Sequence, residues 1–392
     1  MNAFDSVGEV EISANGNRRL RQGHLWVYSS DVVKEPAGDA PVFARVIDPA
    51  SKTAGYALYS AKSEIRLRLL TRENAPPTAE LLRRRLRASI ERRRHRILPG
   101  AACRLVFGEA DLLPSVVVDR YADFIVIQTL SRGAEGLKET LVEMIQDEMR
   151  PAGIVERNDV KARLLEGLEE KRGMLAGSAP AEVTIQEDGV RFNVDLCSGQ
   201  KTGFFLDQSE NRAAAARYAS GRGLDCFCNT GGFGLHFARR CNSVLAAETS
   251  SESLAVARRN ALLNGFTHVE FREENVFDLL RELERAGEKF DVVSLDPPAF
   301  AKNRKALAGA LGGYKEINLR AMKLLNPDGV LVTSSCSYHL QEAMFYELLQ
   351  MAAHDARRYV QVLERRSQSA DHPVLIGMPE THYLKCFFLR VL

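Results

Sequence analysis

The chain has 392 residues, 45% of them hydrophobic and 27% charged, and a formal net charge of +2. That length exceeds one typical domain, so two or three are expected. The apolar runs are too short and interrupted to span a membrane. The opening MNAFDSVGEVEI is acidic and has no long apolar stretch, which argues against a signal peptide. Seven cysteines, an odd number at irregular spacing, do not read as a disulfide framework. Cys226 and Cys228 form a C-x-C, not the C-x-x-C of zinc or redox sites, and no metal site is expected. These features predict a cytoplasmic protein with reduced thiols.

Residues 7–71 read as a small β-rich module. GEVEI, ARVID, AGYALYS and EIRLRLL alternate or cluster apolar residues and are broken by Gly, Pro, Asn and Asp. TRENAPPTAE is a linker. It leads into LLRRRLRASIERRRHRI, whose Leu and Ile recur at helical spacing with Arg on the other faces. CRLVFGEADLLPSVVVDRY and FIVIQTL then predict three strands, LKETLVEMIQDEM a helix and GIVERN a strand. The first 104 residues hold 19 Lys/Arg against 11 Asp/Glu, and the remainder 34 against 40. A basic front of this kind points to a polyanionic partner, with Arg18, Arg19, Arg21 and the Arg83–Arg96 cluster as candidate backbone contacts.

From about residue 190 strand and helix alternate strictly. GLDCFC, SVLAAE, VEFREE, FDVVSLD and VLVTSSC are strands. Between them stand helices at LHFARRC, SESLAVARRNALLNG, VFDLLRELERAG and INLRAMKLLNPDG. A helix at EAMFYELLQMAAHDA and two strands, YVQVLERR and HYLKCFFLRVL, complete the pattern. It predicts an open parallel sheet with helices on both faces and ligands beyond the carboxyl ends of the strands. The loop NTGGFG follows the first strand, where glycine permits close approach of a ligand. Glu248 ends the second strand, where a carboxylate can accept from ribose hydroxyls. Neither the G-x-G-x-x-G of dinucleotide binders nor a G-x-x-x-x-G-K-[ST] loop is present. A nucleoside cofactor without a pyrophosphate is expected.

The order NTGGFG, Glu248, ENVFD, DPPAF and SSCS resembles a class I S-adenosylmethionine-dependent methyltransferase. SGQKTGFFLDQSENR, DPPAFAK and TSSCSYH resemble, more narrowly, the PUA-domain-containing RNA cytosine-5 methyltransferases that act on large-subunit ribosomal RNA. GHLWVYSSDV is similar to the opening of their PUA domain, and VFGEADLLPSVVVDRY to the start of their central domain. The resemblance implies a multidomain α/β protein in three parts. Residues 1–73 form a PUA-like β-barrel, 74–187 a central α+β domain and 188–392 a Rossmann-like methyltransferase.

It also implies roles. Glu248 with Thr249 would bind the cofactor ribose. The loop Asn229, Thr230, Gly231 and Gly232 would lie along its methionine part, and Asn275 and Val276 would flank its adenine. Gln200, Phe205 and Arg212, in the signature segment, would close over the cofactor side, with Asp296 nearby. The family more often has Asp where Asn275 stands, and Ser and Tyr where Cys228 and Asn229 stand.

Asp296-Pro297-Pro298 followed by an aromatic also marks methyltransferases acting on amino nitrogens, but here Ala299 intervenes before Phe300. Cys336, at the end of the next strand, decides between them. Carbon 5 of cytosine is too weak a nucleophile to take a methyl group from a sulfonium unaided. A thiolate adding to carbon 6 makes carbon 5 enamine-like, which is covalent catalysis by an activated nucleophile. Cys336 is therefore the expected nucleophile and Asp296 the group that stabilises the adduct. Pro297, Pro298, Phe300 and Lys302 are expected to meet the substrate base. That base must be single-stranded or flipped out.

His372, in SADHPV, is assigned either loop ordering or catalysis, and Trp26 the core or an interface. The partner expected is RNA, as large-subunit rRNA or a pre-ribosomal particle, with a homodimer implied by the resemblance. Two rival readings remain: an exocyclic-amine N-methyltransferase built on Asp296 and Phe300, and an RNA-binding assembly factor of weak or lost activity.

Overall fold

The computed structural model describes residues 4, 7–36, 42–199, 201–301 and 307–392. They pack as two compact units. The first comprises Met1–Ile185, Val194–Leu206 and Asp371–Thr381, and the second Gln186–Asn193, Asp207–Ala370 and His382–Leu392.

The first unit holds two sheets. Strands Val7–Ile12, Trp26–Tyr28, Val32–Lys34, Phe43–Ile47, Thr53–Tyr59 and Ile65–Thr71 form a six-stranded sheet. Their alternating apolar residues, Val10, Val27, Val46, Leu67 and Leu69 among them, share one core with Leu20 and Leu25. A helix at Ala14–Arg21, capped by Ser13, interrupts the strands, in a stretch the sequence assigns to strands and turns alone. Trp26 is half-buried, donates from Nε1 to Glu109 at 2.9 Å and meets Tyr28 edge-on.

The second sheet of this unit has five strands, in the order Lys171–Gly177, Gly153–Asn158, Phe124–Thr129, Val116–Tyr121 and Ala102–Phe107. Helices Ala79–Arg92 and Lys138–Met149 belong to the same unit.

The arginine-rich helix forms where its periodicity predicts, with Thr78 accepting from the Leu81 N–H and Leu81, Leu82 and Leu86 buried. Its charges are spent differently from the expectation. Arg83 and Arg87 pair with Glu148 at 3.1 and 2.9 Å, Arg94 with Glu91, and Arg92 with Asp111. Arg93 is fully buried and chelates Asp111, while its Nε and Nη2 donate to the Asp371 carbonyl. Arg93 is therefore internal glue, whereas Arg87, Arg92 and Arg94 make their ion pairs at the surface and, with Arg21 and Arg84, face solvent. His372 is enclosed in the same network, with Nδ1 2.9 Å from Asp371 and its ring 5.2 Å from Phe107.

The second unit is built on a seven-stranded sheet. Taken in chain order, its strands are Arg222–Cys226, Ser243–Glu248, Val269–Glu273, Phe290–Leu295, Leu325–Ser335, Val360–Arg366 and Lys385–Val391. Their spatial order is 3-2-1-4-5-7-6, with the seventh antiparallel to both neighbours. The order reverses between strands 1 and 4, the topological switch point at which open α/β sheets bind ligands. Leu224, Leu245, Val293, Leu295 and Leu331 pack with Leu279, Leu283, Ile317 and Phe345 of the helices. The helix expected from Ile317 already covers the residues from Leu307, as Leu307–Leu324. Gly309, Gly312 and Gly313 lower helix propensity there and mask it in the sequence.

Asp225, in strand 1, is completely enclosed. Its Oδ2 accepts from the Gly234 N–H at 2.6 Å and its Oδ1 from the Ser294 hydroxyl at 2.7 Å. Burial pushes its carboxyl up to about 7, against the pull of those donors.

Two predictions follow from these packing facts. Removing the Asp111 carboxylate leaves the Arg93 guanidinium buried without its chelating partner. Asp111→Ala should cost about 3–5 kcal/mol in urea unfolding of the full chain. Between pH 4 and 7 native Asp225 holds a proton that the unfolded chain has lost, so its contribution to stability falls as pH rises through that window and is flat above it. Asp225→Asn should remove that slope, so its melting temperature should gain on wild type from pH 4 to 7. Each kcal/mol is worth about 2–4 °C in a domain of this size.

Candidate active site

Strands 1, 2, 4 and 5 deliver their loops to one edge of the sheet. Strand 1 ends in a turn with three backbones in the left-handed region, Phe227 (φ 63°), Asn229 (φ 49°) and Gly231 (φ 93°). A non-glycine residue held there is strained, a condition that clusters at ligand clamps. A Cβ on Gly231 would come within 3.0 Å of the Leu235 side chain.

Glu248, half-buried at the end of strand 2, is oriented by this turn. Its Oε2 accepts from the Asn229 N–H at 3.2 Å. Its Oε1 accepts from the backbone N–H groups of Thr249 (2.8 Å) and Ser250 (3.2 Å) and from the Thr249 hydroxyl (3.1 Å). Thr249 therefore braces the carboxylate, and Oε2 keeps a second lone pair for a ligand hydroxyl. The carbonyl of Thr230 is held by Asn260 at 3.0 Å.

Asn275 caps the helix Val276–Arg285, its side-chain oxygen accepting from the Phe277 N–H at 2.9 Å. Asn and Asp both serve well as N-caps, so the amide costs the helix nothing. Val276 points into the core and is 2% exposed, so its side chain cannot lie against a base and only its backbone is available. Phe277 is the half-buried neighbour.

The signature segment divides in the structure. Phe205 belongs to the first unit, with the Lys201 ammonium 4.4 Å above its ring. Arg212 belongs to the second unit and is 3% exposed, chelating Glu187 at 2.6 and 2.7 Å. Its Cδ lies 3.1 Å from where a Gly232 Cβ would stand, so it packs against the strand-1 loop. His236 completes this buried cluster, with Nε2 3.1 Å from Glu187. Burial alone would raise the Glu187 carboxyl, but Arg212 and His236 hold it down at about 2. Gln200 and Lys302 lie outside the described residues.

Asp296 follows strand 4. Its Oδ1 accepts from Gln208 Nε2 at 2.8 Å, and Gln208 in turn accepts from Asn211 at 2.6 Å. Gln208 carries no expected role, although it stands in the segment SGQKTGFFLDQSENR. Only the fold reveals that it reaches Asp296. Pro297 is buried and Pro298 exposed. Phe300 is packed among aromatics, 4.7 Å from Tyr314, 5.9 Å from Phe277 and 6.3 Å from Phe227. It is a wall of the site more than an open stacking platform.

Cys336 follows strand 5, the parallel neighbour of strand 4, and is half-buried. Its flanking residues tie it to the Asp296 turn. Ser335 donates to the Tyr314 hydroxyl at 2.9 Å, which lies 3.0 Å from the Ser337 hydroxyl, and the Ala301 N–H donates to Ser337 at 3.3 Å. Five other cysteines are deeply enclosed. Burial pushes Cys103, Cys241 and Cys386 up to about 12 and lifts Cys226 and Cys228 well above the ordinary thiol value. Cys336 and the exposed Cys197 are set apart from them.

Comparison with known proteins agrees with this architecture. The profile of an S-adenosylmethionine-dependent methyltransferase matches residues 170–378, and that of a PUA-like domain residues 10–72. The chain is 41% identical to ribosomal RNA large subunit methyltransferase I of Tolumonas auensis, over 98% of this chain and 99% of that protein. It is 40% identical to the protein of the same name from Shewanella denitrificans, over 97% and 99%.

Among solved structures, a chain described as a SAM-dependent methyltransferase from Streptococcus mutans superposes with a TM-score of 0.83 at 19% identity, over 98% of this chain and all of that one. A methyltransferase complexed with S-adenosylhomocysteine gives 0.84, also at 19% identity and with the same coverage. Among the described residues, no helix is long and apolar enough to cross a membrane. With its strand order, its Glu248 and strained-loop cradle and these matches over nearly its whole length, the chain belongs to the S-adenosylmethionine-dependent methyltransferases, in the family of ribosomal RNA large subunit methyltransferase I.

Proposed function

We propose that this protein methylates carbon 5 of a cytosine in large-subunit ribosomal RNA, with Cys336 as the nucleophile. The observation that carries the reading is the pairing of a half-buried thiol with an acid at adjacent strand ends, cross-tied by Tyr314, Ser335 and Ser337. The relatives named above supply the substrate class, since they are named for large-subunit ribosomal RNA.

The donor set at the switch point fits S-adenosylmethionine: a pre-oriented carboxylate with a spare lone pair for vicinal hydroxyls and an open glycine turn. When bound, that cofactor supplies an electrophilic methyl group. Glu248 would hold its ribose, the turn Asn229–Gly232 its amino-acid part and the cap at Asn275 its adenine.

The reaction then follows from the chain's own groups. Cys336 as thiolate adds to carbon 6 of the cytosine, and negative charge spreads over the ring. Asp296, whose orientation Gln208 fixes, would meet the N3–N4 edge of the base, and carrying a proton it would donate to N3 and so stabilise that adduct. Carbon 5, made enamine-like, would take up the methyl group that the cofactor supplies; its proton would then pass to solvent water, the C–H electrons re-forming the carbon 5–carbon 6 double bond as the thiolate is expelled. Residues 1–73 would grip RNA, 74–187 link, and 188–392 catalyse, with homodimerisation and a cytoplasmic location as parts of the same reading. An N-methyltransferase would need an open aromatic face at Phe300, and Tyr314 and Phe277 crowd it.

Labelled S-adenosylmethionine and unmodified large-subunit rRNA, digested to nucleosides and analysed by mass spectrometry, test the proposal. Wild type should give 5-methylcytidine, and Cys336→Ala less than about one part in 10³ of it while still binding cofactor. Persistent methylation in the variant, or an N-methylated base, would refute the thiol assignment. Glu248→Ala should weaken cofactor binding in calorimetry by about 1.5–3 kcal/mol, the worth of a hydrogen bond to a charged group.

A further inference from the structure

Lys385 is a buried lysine that the reaction above does not use. The residue is 4% exposed, and lysine is rarely enclosed so far without a carboxylate. Its Nζ donates to two backbone carbonyls, Ser337 at 2.7 Å and Tyr383 at 2.9 Å. Among the described residues no carboxylate is bonded to it.

The sheet register explains why it is there. Strand 7 runs antiparallel to strand 5 with Lys385 opposite Ser335. The lysine thus starts level with the residue before Cys336, and its amine bonds the carbonyl of the residue after it. The groups that face this corner are Cys336 itself, Glu342 on the helix Glu342–Ala356, and the Tyr314 hydroxyl from the helix Leu307–Leu324. Burial pulls the ammonium down to about 8, and the attraction of Cys336 and Glu342 offsets only part of that.

We propose that Lys385 activates Cys336 by taking its S–H proton, leaving a thiolate beside an ammonium. A neutral amine has two N–H donors and one lone pair. The two carbonyls take the donors, so the lone pair is what remains to meet a thiol. In the transfer that lone pair forms the new N–H bond, and the S–H bond breaks with its electrons on sulfur. Nothing is oxidised or reduced. The ammonium then stabilises the thiolate before it adds to carbon 6 and again when it is expelled.

Lys385 is a positioning and activating residue that acts through Cys336, and its role in catalysis rests on the cytosine-5 reading. An amine titrating near neutral pH suits such work, because it is neutral often enough to accept a proton and basic enough to keep it.

The test reads the thiol directly and needs no RNA. Full-length protein is alkylated with iodoacetamide from pH 5.5 to 10, and the rate at each cysteine is followed by peptide mass spectrometry, with exposed Cys197 as the internal reference. Cys336 should half-titrate at least one pH unit below Cys197. Lys385→Met should bring the two midpoints together and slow Cys336 at pH 7 about tenfold or more, one unit being a factor of ten in thiolate.

A wild-type Cys336 that titrates with Cys197 or above it overturns the inference, whether or not the variant folds. So does a folded Lys385→Met with an unmoved midpoint. Nucleoside analysis of rRNA treated with unalkylated portions of the same preparations separates the two readings. 5-Methylcytidine from a protein whose Cys336 titrates ordinarily sinks the lysine alone. A low Cys336 midpoint without 5-methylcytidine sinks the cytosine-5 reading and leaves the thiol–amine pair.

Discussion

The hydroxyl of Tyr314 holds the catalytic edge together. It receives a hydrogen bond from Ser335, lies within bonding distance of Ser337 and sits on a ring packed between Phe300 and Phe345. One side chain, reaching from the helix Leu307–Leu324, thereby fixes the two residues that bracket Cys336. Through Ser337 and Ala301 it also fixes the turn that carries Asp296. Nothing in a parallel sheet by itself sets the distance between neighbouring loops, because its ladder ends where they begin. Side-chain bonds of this kind must do so, and when buried they are stronger and more costly to break than in water.

The same logic runs through the cofactor side. Glu248 is set by backbone donors from the strand-1 turn and from its own following residues, and that turn is propped by Arg212, which Glu187 holds in a buried chelate. Residues expected at the cofactor also support one another: Thr249 braces Glu248, the Val276 side chain packs in the core, and Arg212 packs against the strand-1 loop. Preorganisation of this sort places donors before a ligand arrives and so lowers the cost of binding.

The sequence makes the second unit largely legible. Alternating strand and helix, with a strand ending at Glu248, another at Asp296 and a third at Cys336, is a pattern that period-2 and period-3.6 hydrophobicity resolve well. The seven strands lie where those patterns put them, within a few residues at the ends. What escaped has physical causes. The N-terminal half of the helix Leu307–Leu324 is hidden by three glycines. The strand Lys171–Gly177 carries charged and exposed residues, as edge strands do. Gln208, Glu187 and Lys385 act through contacts distant in sequence, and no spacing rule exposes those. The arginine cluster is legible only in part, since charge counts do not say which of its members, such as the buried Arg93, already have internal partners.

The place of the seventh strand has a kinetic side. Lys385–Val391 inserts between strands 5 and 6, and among the described residues Val360–Arg366 pairs with no other strand. Until that insertion occurs, strand 5 presents an unpaired and mostly buried-type edge, Val330 to Ser335, to solvent. Such an edge is a template for pairing with other chains, and the pairing that covers it joins segments far apart in the sequence, a slow, non-local event. The step that protects the nascent sheet from aggregation is thus the same step that brings the Lys385 amine to the Cys336 corner. A chain trapped short of it would be sticky and inert together, which ties catalytic competence to completed folding.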